Sequence, residues 1–186
     1  GDGNEWTQNI IDQTKHMGKL INQLLVLAKL DEVQEKSEKQ EADLKLLLEE
    51  TIEPFEEVAT QKKVTLKLHL EEGVTIRVNR EQIAQLVSIL TENAAKYVND
   101  GGKIVWRLTK TQHGAVLVVK NTTEKELPDT KRMFDRFYRS DSSRSSKTGG
   151  QGIGLSIAKK IVDSHKGSIT AKAGDGMVTF RVSLPK

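Results

Sequence analysis

The stretch Gly149-Gly150-Gln151-Gly152-Ile153-Gly154-Leu155-Ser156-Ile157-Ala158-Lys159-Lys160-Ile161-Val162 constrains the chain most. Four glycines in six positions cannot sit inside a regular element without a large entropic penalty. They open onto Ile153, Ile157 and Ile161 at helical spacing, with Leu155 and Ala158 beside them. The pattern reads as a glycine-rich loop feeding a helix N-terminus. Such a loop lets backbone N–H groups approach an anion, and the positive end of the helix dipole faces it. A tight connection would use the same glycines, so the phosphate reading needs a second signal. The stretch is neither a P-loop nor a dinucleotide fingerprint: no Gly-Lys-Ser/Thr follows, and Ser142 to Thr148, which lead into it, are not strand-like.

Upstream, Glu5 to about Lys36 holds no proline and one glycine, Gly18. Ile10, Met17 and Leu24 fall seven apart, Leu20 and Leu27 fill a second seam, and Ile21 and Ala28 widen the stripe. This predicts one long amphipathic helix with a bundle or coiled-coil face. The stripe must be buried on the following domain or by a helix outside this sequence; its length favours the second. Residues 1–40 are thus read as helix plus connector, and 41–186 as a separate domain.

Within that domain Asp43 caps a helix carrying Leu44, Leu47, Leu48 and Ile52, with Pro54 marking a bend or break. Val64, Leu66, Leu68 and Leu70 alternate as a half-buried strand, and Thr75 to Val78 is a second. Asn79 caps a helix whose inner face is Ile83, Leu86, Val87, Leu90 and Ala94. Lys103–Thr109 and Ala115–Val119 form a hairpin, and Asn121 to Thr130 reads as irregular. Met133-Phe134 and Phe137-Tyr138 are two apolar steps before a Ser/Gly/Arg-rich loop, 140–150, of lid-like length. Gly174-Asp175-Gly176 turns a closing hairpin. The order predicts an α/β (α+β) fold: a two-layer sandwich of helices on a mixed, mostly antiparallel sheet, preceded by one long amphipathic helix.

The second signal ends the third helix: Glu92-Asn93-Ala94-Ala95-Lys96-Tyr97. Asn93 and Lys96 are three apart and share a face. An Asn carbonyl is a hard ligand suited to Mg²⁺, a lysine neutralises phosphate, and Tyr97 offers a flat surface to a base. A merely solvated helix end has the same composition.

Composition narrows the classes. With no cysteine, thiolate catalysis, disulfides and Cys–zinc sites are excluded. A net charge of +3 and 4% aromatics argue against nucleic acid as a partner. No apolar run spans a bilayer and no signal peptide is visible, so the sequence reads as a soluble, cytoplasmic piece.

Asn93-Ala94-x-Lys96-Tyr97 resembles the N box of sensor histidine kinases. Phe134-Asp135-Arg136-Phe137-Tyr138-Arg139-Ser140-Asp141 resembles their F box, and Gly150-Gln151-Gly152-Ile153-Gly154-Leu155 their second glycine box. The order of the three motifs, followed by a terminal hairpin, also matches, and the resemblance covers nearly all of 41–186. Met17 to Leu30 resembles the second helix of the family's dimerisation and phosphoacceptor hairpin. The first helix, with the acceptor histidine, is not in the sequence; His16, His69, His113 and His165 all lack the acceptor context.

The resemblance implies ATP and Mg²⁺ as cofactors, and Asn93 as the metal ligand. It puts Lys96 on a phosphate and Tyr97 against the nucleotide. Arg139 and Arg144 would reach the γ-phosphate, and Gly150, Gly152, Ile153, Gly154 and Leu155 would line the triphosphate. Glu92 would polarise the acceptor, and Asn121 would take the place of the aspartate that accepts from the adenine amino group. The implied reaction is γ-phosphoryl transfer to a histidine for relay to a response regulator receiver domain. The intact protein would be a membrane-anchored homodimer.

Two departures stand out. Asn121-Thr122-Thr123 replaces the family's Asp-x-Gly: the charge-assisted bond is lost, and a left-handed turn at Thr123 would be costly. Ile89 stands where many relatives carry another Mg²⁺-side Asn. Two alternatives follow: a degenerate nucleotide fold that works as a docking module, and an ATPase in which Glu92 activates water.

Overall fold

The structure is a computed structural model; it describes residues 6–8, 10, 11, 13, 14, 17, 18, 21, 38–124, 129–138 and 152–186. The chain divides into two compact units, Gly1–Glu35 and Lys36–Lys186. In the first, the described residues are helical, and the Thr14 hydroxyl donates to the Ile10 carbonyl at 2.8 Å. Of the predicted stripe, Ile10, Met17 and Ile21 are exposed; Leu20, Leu24, Leu27 and Ala28 lie outside the described residues.

The second unit runs β1 (Gln40–Asp43), α1 (Leu44–Ile52), α2 (Pro54–Gln61), β2 (Thr65–Leu70), β3 (Thr75–Val78), α3 (Arg80–Tyr97), β4 (Lys103–Thr111), β5 (Gly114–Thr122), α4 (Gly154–Ser164), β6 (Ser168–Gly174) and β7 (Met177–Pro185). Local chemistry sets the helix starts. The Asp43 carboxylate accepts from the amides of Lys45 and Leu46, and the Asn79 side chain from Gln82 N–H, which satisfies donors the first turn leaves orphaned. Pro54 occupies the first turn of α2, where its missing N–H costs nothing, so the expected break separates two helices.

Five strands form one sheet in the order β2-β4-β5-β7-β6. β2 and β4 are parallel, with α3 in the crossover between them, and the other three pairings are antiparallel. The helices cover one face. Trp106, Leu117 and Phe180 point from the strands into a core shared with Leu86 and Leu90 of α3 and Ile157 of α4, all essentially fully buried. This is the expected two-layer architecture.

Two details correct the sequence reading. Gln40 and Glu41, read as the polar connector leading to the helix that Asp43 caps, belong to β1, which pairs antiparallel with β3 in a separate two-stranded sheet. Four largely polar residues carry too little apolar alternation to signal a strand; the partner is supplied more than thirty residues away. Asn121 and Thr122, read as irregular, complete β5, opposite Val178 and Met177 of β7.

His165 closes the end of α4. It is buried; its Nε2 accepts from the Asn79 amide at 3.1 Å and its Nδ1 lies 2.7 Å from the Ile161 carbonyl. Burial pushes its pKa below the ordinary histidine value; the Ile161 bond opposes that shift, and Lys39 adds to it. The neutral ring thereby ties the end of α4 to the cap of α3.

Candidate functional site

The polar end of α3 follows from its amphipathic repeat. Thr91 and Ala94 turn inward with Leu90, and the Thr91 hydroxyl is spent on the Val87 carbonyl at 2.7 Å. Glu92 is therefore exposed, while Asn93, Lys96 and Tyr97 are half-buried. Lys96 Nζ lies 5.1 Å from the centroid of the Tyr97 ring, within cation–π range. The helix then stops: Val98 leaves the helical conformation, and Lys62 Nζ covers the Ala95 carbonyl at 2.8 Å.

The start of α4 meets α3 one turn before Asn93. A methyl group added at Gly154 would lie 3.5 Å from Ile89 Cγ2, so the two helices touch there in ordinary van der Waals contact. Ile89, a departure from the resembled pattern, thus serves as the apolar seat of the glycine-box helix. Ile153 is buried beneath it, while Gly154 and Leu155 remain half-exposed. Ile153 precedes the helix and makes no side-chain cap bond to the first-turn amides of α4. An uncapped N-terminus of this kind suits an anion.

Gly152 fixes the approach to that helix. Its φ is +72°, and a Cβ there would lie 2.6 Å from the Tyr138 carbonyl oxygen and 2.8 Å from the Phe137 carbonyl carbon, so only glycine fits. Its carbonyl accepts from Phe137 N–H at 2.9 Å. The F-box-like turn is thereby hooked directly onto the glycine-box-like stretch, a contact the sequence reading did not anticipate. The same geometry corrects the reading of Phe137 as an apolar step. Phe137 adopts φ +62° and is exposed, whereas Met133 is buried and Phe134 meets Phe180 edge-on at 6.3 Å. Left-handed backbone at a phenylalanine has no sequence signature.

The third part is the end of β5. Asn121 is buried, and its Nδ2 donates to the Thr122 carbonyl at 3.1 Å. Thr123 N–H donates to the Gly176 carbonyl at 2.8 Å. Thr123 is not among the residues with positive φ, so the strain expected from replacing glycine there does not arise. This segment adjoins the end of α3. Asn99 Nδ2 donates to Glu124 at 3.2 Å, and the Thr122 hydroxyl accepts from Lys103 N–H at 2.9 Å.

Asn93, Lys96 and Tyr97 are thus carried on one helix end, which meets the start of α4 through Ile89 and Gly154, while Asn99, just past that end, bonds to Glu124 beyond the end of β5 that holds Asn121. Arg139, Arg144 and Gly150 lie outside the described residues. Among the described residues, no three of His, Asp and Glu come together as a metal cage. The donors present, an amide carbonyl, an ammonium and helix-end amides, fit a divalent ion that brings its own phosphate ligands. Among the described residues, no helix is long and apolar enough to cross a membrane.

A family model described as "Histidine kinase-, DNA gyrase B-, and HSP90-like ATPase" matches residues 78–186. The sensor protein DltS of Streptococcus agalactiae is 32% identical over 186 residues, covering 98% of this chain and 46% of DltS. The sensor histidine kinase RppB of Synechocystis is 34% identical over 176 residues, covering 93% of this chain and 39% of RppB. The chain therefore spans less than half the length of either relative. Among solved structures, the nucleotide-free catalytic domain of histidine kinase ThkA aligns with a TM-score of 0.71 at 27% identity, over 80% of this chain and 96% of that one. ThkA in complex with the response regulator protein TrrA aligns with a TM-score of 0.70 at 21% identity, over 91% of this chain and 49% of that one.

Proposed function

The chain belongs to the histidine kinase-, DNA gyrase B- and HSP90-like ATPase family, and from that premise we propose that residues 41–186 bind Mg²⁺–ATP and transfer its γ-phosphoryl group to a histidine. The observation that carries this is the Ile89–Gly154 contact, which sets the uncapped N-terminus of α4 one helical turn from Asn93. A phosphate chain on those amides has Asn93 and Lys96 on the neighbouring helix face. Phosphoryl transfer of this kind relies on positioning and charge neutralisation rather than covalent catalysis.

In this reading the Asn93 carbonyl holds Mg²⁺ and Lys96 neutralises a phosphate oxygen. Tyr97 packs on the nucleotide, and Gly150, Gly152, Ile153, Gly154 and Leu155 line the triphosphate. Asn121 spends its amide on Thr122 and keeps its carbonyl oxygen to accept from the adenine amino group. Arg139 and Arg144 fork onto the γ-phosphate, and Glu92, exposed at the helix edge, faces the acceptor. Bound Mg²⁺ supplies further neutralisation of phosphate charge.

The acceptor comes from the other helix of a dimerisation hairpin, and the phosphoryl group then passes to an aspartate of a receiver domain. ThkA is seen with such a regulator. His165 is buried and committed to Asn79, which leaves it unfit as an acceptor. The work is done on the cytoplasmic side, by a homodimer anchored through segments outside this sequence. The docking-module reading rests on two changes at the end of β5, Asn121 and Thr123. Thr123 carries no backbone strain, so Asn121 alone is left to weaken adenine binding.

Titration with a fluorescent ATP analogue, with and without Mg²⁺, tests the site. The expected result is Mg²⁺-dependent binding that Asn93→Ala abolishes. Binding indifferent to both Mg²⁺ and Asn93, or none at millimolar nucleotide, a free energy of roughly 4 kcal/mol or weaker, would return the chain to the docking-module class.

A further inference from the structure

The face of the five-stranded sheet turned away from the helices has an unusual charge order. None of its five strands contains an aspartate or glutamate. The cations fall into register. One row across the sheet reads Lys67, Val105, Lys120, Thr179, Lys172, and the next reads His69, Arg107, Val118, Arg181, Thr170. Each strand therefore contributes one Lys or Arg, alternately from the first row and the second: Lys67, Arg107, Lys120, Arg181, Lys172. All five are exposed, and among the described residues none is in an ion pair. With strands about 4.8 Å apart, this zigzag spans roughly 19 Å. Five of the 29 lysines and arginines of the chain stand in these two rows, with no strand carboxylate among them.

Between the cations lies a shallow trough of about 500 Å³, floored by Val105, Val118, Thr170 and Thr179. Val105 and Val118 are half-buried and apolar. Solvated surface charge of this density is normally interleaved with carboxylates. Here a line of cations has been kept free of them and flanks an apolar floor.

We propose that this face docks an acidic helical segment of a partner protein, laid across the strands. A helix with carboxylates alternately three and four residues apart presents one every ~5 Å along its axis, which matches the strand spacing. Its apolar neighbours meet Val105 and Val118, and arginine is favoured in such interfaces. The other polyanions fit less well. Sheet twist of about 20–25° per strand keeps five strands from lying flat on a bilayer. A nucleic acid strand would find no stacking platform, because Trp106 and Phe180 both point into the core. The proposal does not depend on the nucleotide site.

The test uses the whole 186-residue chain and a fluorescein-labelled helical peptide with glutamates at alternating three- and four-residue spacing, at about 0.15 M salt. Anisotropy should show binding that Lys120→Gln with Arg181→Gln weakens about tenfold and Lys120→Glu with Arg181→Glu abolishes. Melting temperature and binding of the ATP analogue should stay at parental values in both variants, since the changed side chains are exposed on the sheet face turned away from the helices, opposite the side into which neighbouring Asn121 is buried. Phosphatidylserine-containing vesicles and a single-stranded oligonucleotide should bind more weakly than the peptide. The proposal is overturned if the peptide does not bind, if charge reversal leaves its affinity unchanged, or if vesicles or oligonucleotide bind as tightly as the peptide.

Discussion

Gly152 should be among the least replaceable residues of the site, and three glycines grade the reason. Gly174 has no positive φ and nothing within 4 Å of an added Cβ. Gly73 has φ +67° with the same open surroundings, so alanine there bears only the left-handed penalty, about 1–2 kcal/mol. Gly152 combines φ +72° with backbone atoms of Phe137 and Tyr138 at 2.6–3.0 Å. Alanine there bears the same penalty and must also push the Phe137–Tyr138 backbone away. That breaks the Phe137 N–H bond to the Gly152 carbonyl, worth about 1 kcal/mol more. The expected order is Gly174→Ala near neutral, Gly73→Ala down by about 1–2 kcal/mol, and Gly152→Ala down by roughly 2–3 kcal/mol or more. At about 2–4 °C per kcal/mol, Gly152→Ala should melt roughly 4–12 °C lower. It should also weaken the ATP analogue by tenfold or more, because the start of α4 moves with the turn; Gly73→Ala should leave binding alone. Thermal melts and analogue titration on the three variants decide the matter. If Gly152→Ala melts and binds as the parent does while Gly73→Ala shows its penalty, the hook between the turn and the glycine stretch is not what positions α4.

Stability should also report His165. Because folding lowers its pKa, the unfolded chain binds the proton more readily. The stabilisation is complete above the ordinary value of 6.5 and is lost as pH falls from there through the folded value. Melts at neutral and mildly acidic pH should show the parent losing stability across that window. His165→Phe should be less stable at neutral pH and flatter below it; a parental slope in the variant would assign the pH dependence elsewhere. Asp43→Ala should lower stability by about 1 kcal/mol in urea unfolding, since two amides lose their acceptor. A change under a few tenths would mean that water replaces the cap.

Most of the fold was legible because its signals are local. The alternation in β2, β4 and β7, the caps Asp43 and Asn79, the break at Pro54 and the turn at Gly174-Asp175-Gly176 each lie within a few residues of what they determine. What escaped depends on distant partners. β1 exists only through its pairing with β3, and Asn121 is a strand residue because Val178 lies opposite. Nor does the sequence show that β7 inserts between β5 and β6. The site divides the same way. Asn93, Lys96 and Tyr97 share a helix end by periodicity alone, and Gly152 to Leu155 open a helix as read. The joints between these parts, Ile89 against Gly154 and Phe137 onto Gly152, link segments tens of residues apart or need a backbone conformation that phenylalanine rarely adopts.

The position of β7 has a consequence for how the protein is made. β5 pairs on one side with β4, which precedes it, and on the other with β7, the last strand of the domain. During synthesis the β4–β5 hairpin can close early, yet Gly114–Thr122 keeps an open edge until Met177–Pro185 has left the ribosome. That edge is one of the most apolar stretches of the chain, Ala-Val-Leu-Val-Val, with no carboxylate to guard it. The nascent domain is therefore most prone to pairing with the wrong strand just before it is finished. Loss of β7 alone would leave the sheet split, with adhesive edges on β5 and β6.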